Sequence, residues 1–378
     1  MLNYGAAQRW LSLRIECLGA IIGFTLSTTI VCANDRLKIP AGLVGLVVQW
    51  SIFFTTALNF FFLRFTESEA RITSIERILE MSRLPQEAAW ETMPACRFNQ
   101  KWPTKGDIEF DNVCMRYREN LSLALDRVSF KLTSSTRCGV VGRTGAGKSS
   151  LATALFRLVE VESGRVVLDG VDVSKIGLAD LRGRPNCLRM IPQDPVLFGG
   201  NVRNCVDPFQ SASDDKVLQA LEAVNYRGTR REGGGLNVLE DKVEEGGSNY
   251  SVGERQLLCL ARALVEQPKV LLLDEATASI DSETDHLIQE MLRTKFPTTT
   301  LITIAHRLST IIDFDVILGM QDGKSVEFGP PHELLQDPHG LLTSLVDATG
   351  PESSAELRSI AAAHHCKDDY DNTGGIEC

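Results

Sequence analysis

The chain has 378 residues, 43% of them hydrophobic and 23% charged, which is too apolar for a mostly disordered protein and leaves room for two or three folded units. Its 39 basic and 49 acidic residues give a net charge of −10, which argues against a general nucleic-acid binder but permits a phosphate ligand held by backbone groups. Ten scattered cysteines with no C-x-x-C spacing argue against a disulfide scaffold or a zinc finger and fit reduced thiols facing cytosol.

The first predicted elements are two membrane helices. Cys17–Ala33 and Ala41–Leu63 are charge-free runs of 17 and 23 residues. The second reaches about 34 Å as a helix, enough for a hydrocarbon core of roughly 30 Å. The first lengthens through Trp10–Ile15. Between them lies the short polar stretch Asn34–Pro40. Arg9, Arg14, Arg64, Arg71 and Arg77 flank the outer ends of the pair, so the basic-residue bias puts both ends in the cytosol. Gln49, Thr56 and Asn59 recur at helical spacing and form a polar stripe for other helices or a water-filled path, with helix packing the plainer role. The helical pattern continues through Ile72, Ile75, Ile78 and Leu79 to about Met81, which predicts one long helix leaving the membrane. Pro85, Pro94 and Pro103 then punctuate a linker.

From Gly106 onward strand-like and helix-like segments alternate. Arg137–Val141 is a short apolar strand, Gly142–Ser149 follows as G-x-x-x-x-G-K-[ST], and Ser150–Val159 has a helical pattern. That context makes Gly142, Arg143, Thr144, Gly145, Ala146, Gly147, Lys148, Ser149 and Ser150 a phosphate-binding loop. Glycines let backbone N–H groups close on phosphate, Lys148 reaches its outer oxygens, and Ser149 offers a Mg²⁺ ligand. Val270–Leu273 is a strand buried on both faces that ends in Asp274-Glu275. A carboxylate there can hold Mg²⁺, the role for Asp274, and Glu275 beside it can orient or deprotonate a water. A third strand, Thr300–Ala305, ends in His306, at the strand end where such sheets place ligands.

In this order the residues resemble the nucleotide-binding domain of an ABC transporter. Gly142–Ser149 resembles Walker A, Gln193 the Q-loop glutamine, Tyr250–Gln256 the signature, Asp274-Glu275 Walker B, Ala278–Asp281 the D-loop and His306 the switch histidine. Tyr117 stands where the family stacks an aromatic on adenine. The signature text Tyr-Ser-Val-Gly-Glu-Arg-Gln, together with Ile191–Phe198 and Asn201–Phe209, is similar to the second nucleotide domain of the C subfamily, the multidrug-resistance-associated proteins. The membrane helices agree with that subfamily, at Gln8–Leu11 and Ala41–Leu46.

The resemblance implies an α/β P-loop ATPase domain with an antiparallel β subdomain and a helical subdomain, preceded by two transmembrane helices. It implies ATP and Mg²⁺ as cofactors, with Glu275, His306, Gln193 and Lys148 catalytic and Ser149, Gln193 and Asp274 serving the metal. It also implies a head-to-tail pair, in which Ser251 and Gly253 face ATP held by the partner. Val252 and Glu254 depart from the consensus signature and weaken the expectation that this signature supports hydrolysis. Subfamily members carry two nucleotide domains and many more helices, so the chain is expected to need a first nucleotide-binding domain and further transmembrane helices as partners, whether as part of a longer protein or as a short product. Export of organic anions, conjugates or drugs across the plasma or vacuolar membrane is the expected function, and a non-transporting regulatory subunit is the alternative; lipid but not nucleic acid is an expected contact. The expected division is 1–81 membrane part and stalk, 82–106 linker, 107–347 nucleotide domain and 348–378 disordered tail. His364-His365-Cys366 is read as incidental rather than metal-binding.

Overall fold

The computed structural model describes residues 2–37, 40–92, 102–184, 186–226, 236–274, 282–305 and 307–373. Two compact units divide between Glu87 and Ala88.

The first unit is a helical hairpin of α1 (Leu2–Leu37) and α2 (Ala41–Ser82). Both are long and apolar enough to cross a membrane, over Arg9–Ala33 and within Ala41–Ser82. At 1.5 Å per residue the 42 residues of α2 extend about 63 Å, twice a hydrocarbon core. The continuous helix read from the sequence up to Met81 is present. The helices approach closely at Gly19, where a Cβ would lie 2.1 Å from Thr55 Cγ2. The Ser12 hydroxyl donates to Asn59 Oδ1 across the hairpin at 2.9 Å. Of the polar stripe, Asn59 is thus a packing residue, whereas Gln49 and Thr56 stay exposed in this pair.

The second unit is built on two sheets. An antiparallel sheet of order β2-β1-β4-β5 takes β1 (Ile108–Met115), β2 (Leu125–Leu132), β4 (Ser163–Leu168) and β5 (Val171–Asp172). Ile108, Phe110, Val113, Val128 and Leu132 are buried, and Phe110 stacks on Phe130 at 4.7 Å. The central sheet has order β12-β11-β3-β10-β9-β6. It comprises β3 (Arg137–Val141), β6 (Leu188–Ile191), β9 (Val270–Asp274), β10 (Thr300–Ile304), β11 (Val316–Gln321) and the edge strand β12 (Lys324–Gly329). All pairings but β11–β12 are parallel. The unbroken apolar runs reflect burial on both faces: Leu271, Leu272, Ile302 and Val140 are each at most 1% exposed.

The helix after the phosphate loop is α3 (Lys148–Leu155), two residues earlier at its start than the sequence pattern and ended by Phe156. A helical part contains α4 (Val202–Val206), α5 (Asp214–Ala223) and α6 (Val252–Glu266), with a two-stranded ribbon of β7 (Gly200–Asn201) and β8 (Lys242–Val243). The chain then adds α7 (Ser282–Lys295), α8 (Pro331–Leu334), α9 (Leu341–Asp347) and α10 (Pro351–Thr373).

Two boundaries differ from the sequence expectations. The expected disordered tail is corrected: Pro351–Thr373 is a helix. Ser354, Leu357 and Ala361 repeat at helical spacing and are buried, while Arg358 bonds the Asp347 carboxylate at 2.9 Å and the Leu335 carbonyl at 3.1 Å. An alanine-rich polar sequence has high helix propensity, and one narrow buried face suffices to hold it. The expected linker is also shorter than 82–106. Ala89 and Trp90 carbonyls accept from Leu178 and Ala179, Trp102 is buried with its indole N–H on the Leu168 carbonyl, and these residues fold with the second unit.

Asp169 closes that junction. Its carboxylate accepts from the N–H groups of Thr104, Lys105, Gly106 and Asp107 at 2.6–2.8 Å. Burial pushes the carboxyl up, but the four donors win and hold it below the usual aspartate range. A depressed folded value means that its stabilisation is complete above the ordinary value near 4 and fades as pH falls below it. Asp169→Asn should therefore cost roughly 2 kcal/mol at pH 7 and progressively less below pH 4, read from denaturant midpoints across pH. An equal cost at both pH values would remove the charge from the explanation.

Candidate nucleotide site

The register of the central sheet assembles the site. Ile304 pairs with both Asp274 and Val140, and Ile191 pairs with Leu273. Four adjacent parallel strands, β3, β10, β9 and β6, therefore end on one edge. β3 runs into Gly142, β9 ends in Asp274, β6 lies two residues before Gln193, and β10 ends at Ile304. This carboxyl edge is where open α/β sheets hold ligands. Gly142, Asp274 and Gln193, far apart in sequence, come to this edge because each lies at or within two residues of the end of one of these strands.

The loop Gly142–Gly147 is shaped by close backbone approach. Gly142, Gly145 and Gly147 have φ of +153°, +84° and +102°. A Cβ on Gly142 would lie 2.3 Å from the Met320 carbonyl oxygen, and one on Gly147 2.9 Å from that of Ala124. Ala146 is buried, and its carbonyl accepts from Gly323 N–H at 3.0 Å, which pins the loop to the turn between β11 and β12. Arg143, Thr144 and Gly145 are exposed at the loop's crest. Gly147 is the N-cap of α3 and offers no side chain to its first N–H groups. Those donors and the helix dipole point at whatever lies above the loop.

Lys148 is 7% exposed, yet its ammonium reaches back over the loop to the carbonyls of Gly142 at 2.8 Å and Arg143 at 3.2 Å. Ser149 beside it is exposed. Ser150 is buried and shares a hydrogen bond with the Tyr117 hydroxyl at 3.1 Å. Tyr117 is 47% exposed and lines the same cleft of about 680 Å³ as Gly145, Lys148 and Ser149. A cradle that side chains would fill, an ammonium at its lip, uncapped helix donors and an adjacent ring together fit a nucleotide with its phosphates.

The cleft also contains Asp322 and Gly323, which the sequence reading did not single out. Both have left-handed φ, +49° and +78°, and an Asp-Gly pair between two apolar runs was the available hairpin signal.

The signature segment opens α6. Ser251 is its N-cap and Gly253 lies in its first turn. Gln256 is buried and donates to the Gln193 carbonyl at 3.3 Å, and Arg255 donates to the Pro195 carbonyl at 3.1 Å and pairs with Asp194. The helix is thereby tied to the segment after β6. Glu275, His306 and the segment Ala278–Asp281 lie outside the described residues. Among the described residues no group of three or more His, Cys, Asp or Glu forms a metal cluster.

Residues 125–278 match the family model for the ABC transporter. The chain is 44% identical over 364 residues to ABC transporter C family member 3 of Dictyostelium discoideum, covering 96% of this chain and 25% of that protein. It is 41% identical to Bile pigment transporter 1 of Saccharomyces cerevisiae, over 92% of this chain and 23% of that one. Against ATP-binding cassette sub-family C member 2 of Mus musculus the identity is 44%, over 88% and 21%. The chain thus spans about a quarter of the length of the curated relatives it matches. A solved bacterial Atm1-family ABC exporter with ATP bound shares the fold at a TM-score of 0.72 and 25% identity, covering 93% of this chain and 60% of that one.

Proposed function

We propose that this chain, which belongs to the ABC transporters and resembles their C-family members, is an ATP-binding and ATP-hydrolysing module that drives export across a membrane. The observation that carries the reading is the convergence of Gly142, Asp274 and the segment leading to Gln193 at one edge of the central sheet. Tyr117 stacks on the adenine. Lys148 and the loop amides hold the phosphates, helped by the N-terminus of α3. Ser149, Gln193 and Asp274 are the groups that would hold Mg²⁺, which when bound neutralises phosphate charge. Glu275 takes a proton from, or orients, the attacking water, and His306 contacts the outer phosphate. Ser251 and Gly253, at the start of α6, face a nucleotide held by a second such domain. Hydrolysis reopens the pair, and the motion passes to the membrane helices.

The relatives are far longer than this chain, which fits a partner nucleotide domain and further membrane helices completing the machine. The basic flanks of α1 and α2 support a cytosolic ATPase unit, and a plasma or vacuolar membrane is the proposed home of the two helices. Organic anions, conjugates or drugs are the proposed cargo.

Glu275→Gln tests the chemistry. In the assembled protein it should leave affinity for ATP within about twofold and lower hydrolysis at least 100-fold, because general-base assistance contributes roughly 10²–10⁴. Phosphate release and fluorescent-nucleotide binding, measured on the same preparation, separate the two effects. Unchanged turnover would remove Glu275 from the mechanism.

A further inference from the structure

The signature helix carries a feature of its own. Ser251 N–H and the Ser251 hydroxyl both donate to Glu254 Oε2, at 2.9 and 2.8 Å, and the Glu254 N–H donates back to Ser251 Oγ at 3.2 Å. Three bonds close a capping box on the first turn of α6. A bare helix N-terminus carries about half a positive charge and attracts phosphate. Here the chain's own carboxylate already takes the N-cap N–H and the Ser251 hydroxyl hydrogen. The hydroxyl hydrogen that would meet an incoming phosphate oxygen is committed to a charge-assisted bond, about twice as strong as a neutral one.

The surroundings hold the helix while leaving the box accessible. Gln256 and Arg255 brace α6 against Gln193, Asp194 and Pro195. Tyr250 is buried beneath it, 6.4 Å from the Tyr226 ring. Ser251 itself is exposed, and Val252, Gly253 and Glu254 are half-buried. Relief of the capping box therefore falls to the Glu254 side chain rather than to a tilt of the helix.

We infer that Glu254 is a positioning residue that stands in for the nucleotide phosphate at this end of α6, so that pairing with a nucleotide-loaded second domain requires Ser251 to exchange a carboxylate for a phosphate oxygen. The carboxylate raises the threshold for pairing; nucleotide binding to the chain's own loop is untouched, because that loop belongs to β3 and α3. This rests on reading the start of α6 as the face that meets a partner's ATP.

The test uses the full chain in detergent micelles with a non-hydrolysable ATP analogue. One readout is binding of a fluorescent form of the analogue; the other is analogue-dependent energy transfer between two labelled pools of the chain. Wild type, Glu254→Gln and Glu254→Asp should bind the analogue equally. Glu254→Gln, which keeps an acceptor for Ser251 but drops the charge, should pair at about tenfold lower protein concentration. Glu254→Asp, which keeps the charge, should pair like wild type. A merely structural role predicts instead that both variants lose thermal stability and neither pairs better. Equal binding with no gain in pairing for Glu254→Gln overturns the inference, as does an equal gain for Glu254→Asp. If none of the three chains binds the analogue, the nucleotide reading fails and the inference falls with it.

Discussion

Replacing Lys148 with methionine should lower affinity for ATP about 100-fold while leaving the protein folded. Methionine keeps most of the apolar stem, which matters because the side chain is 7% exposed and packed into the first turn of α3. What disappears is the ammonium. In the structure it lies over the loop, bonded to the carbonyls of Gly142 and Arg143, at the lip of the cleft that Tyr117 and Ser149 also line. A phosphate arriving there gains one or two charge-assisted hydrogen bonds in a partly desolvated site. Their loss is worth about 2.7 kcal/mol, a factor of 100. The two loop carbonyls lose a neutral-acceptor bond each but face a solvated cleft, so the structural cost is about 1 kcal/mol. Nucleotide titration and thermal unfolding on one sample separate the two. A binding loss no larger than threefold, with the fold intact, would place the phosphates elsewhere.

The reasons this site was legible, and where legibility stopped, are physical. Arg137–Val141, Val270–Leu273 and Thr300–Ile304 could be read as buried strands because burial on both faces demands unbroken apolar runs. The glycine spacing of the loop could be read because close backbone approach excludes side chains at Gly142 and Gly147. The order of the strands could not. That β10 lies between β3 and β9, bringing Asp274 level with Ile304, is a property of non-local pairing, and no local signal in either strand states it. The same holds for Tyr117, whose partner Ser150 is 33 residues away. Helix α10 was missed for a different reason. Its apolar face is narrow, Leu357 and Ala361 with Ser354 between polar neighbours, so composition outweighed periodicity in the reading. The turn at Asp322-Gly323 carried an ordinary hairpin signal, but only the fold shows that it supports the loop through Ala146. The capping box at Ser251 and Glu254 was present in the sequence as S-x-x-E. Its meaning emerged only with the hydroxyl seen to be committed to the carboxylate.

Gly142→Ala should be the most damaging single change in the loop, and Gly145→Ala the useful contrast. Both positions have positive φ, +153° and +84°, so each substitution carries backbone strain on the order of 1 kcal/mol. Their surroundings differ. Around Gly145 nothing lies within 4 Å of an added Cβ. At Gly142 the Cβ would sit 2.3 Å from the Met320 carbonyl oxygen and 3.1 Å from Ala146 Cβ. Met320 is fully buried in β11, which pairs directly with β3, so the obstructing oxygen belongs to backbone inside the sheet. Relief requires either that β11 moves or that the loop lifts away from the turn at Gly323. The first disrupts the core beneath the loop; the second dismantles the cradle. A destabilisation of about 4 kcal/mol follows for Gly142→Ala, with the unfolding midpoint lowered by roughly 10 °C, against about 1 kcal/mol and a few degrees for Gly145→Ala. Unfolding should be measured without nucleotide, so that lost binding does not enter the comparison. If the two variants unfold together, the contact with Met320 does not shape the loop. If Gly142→Ala alone collapses, the strand behind the loop holds the cradle in the form that Lys148 and the start of α3 require.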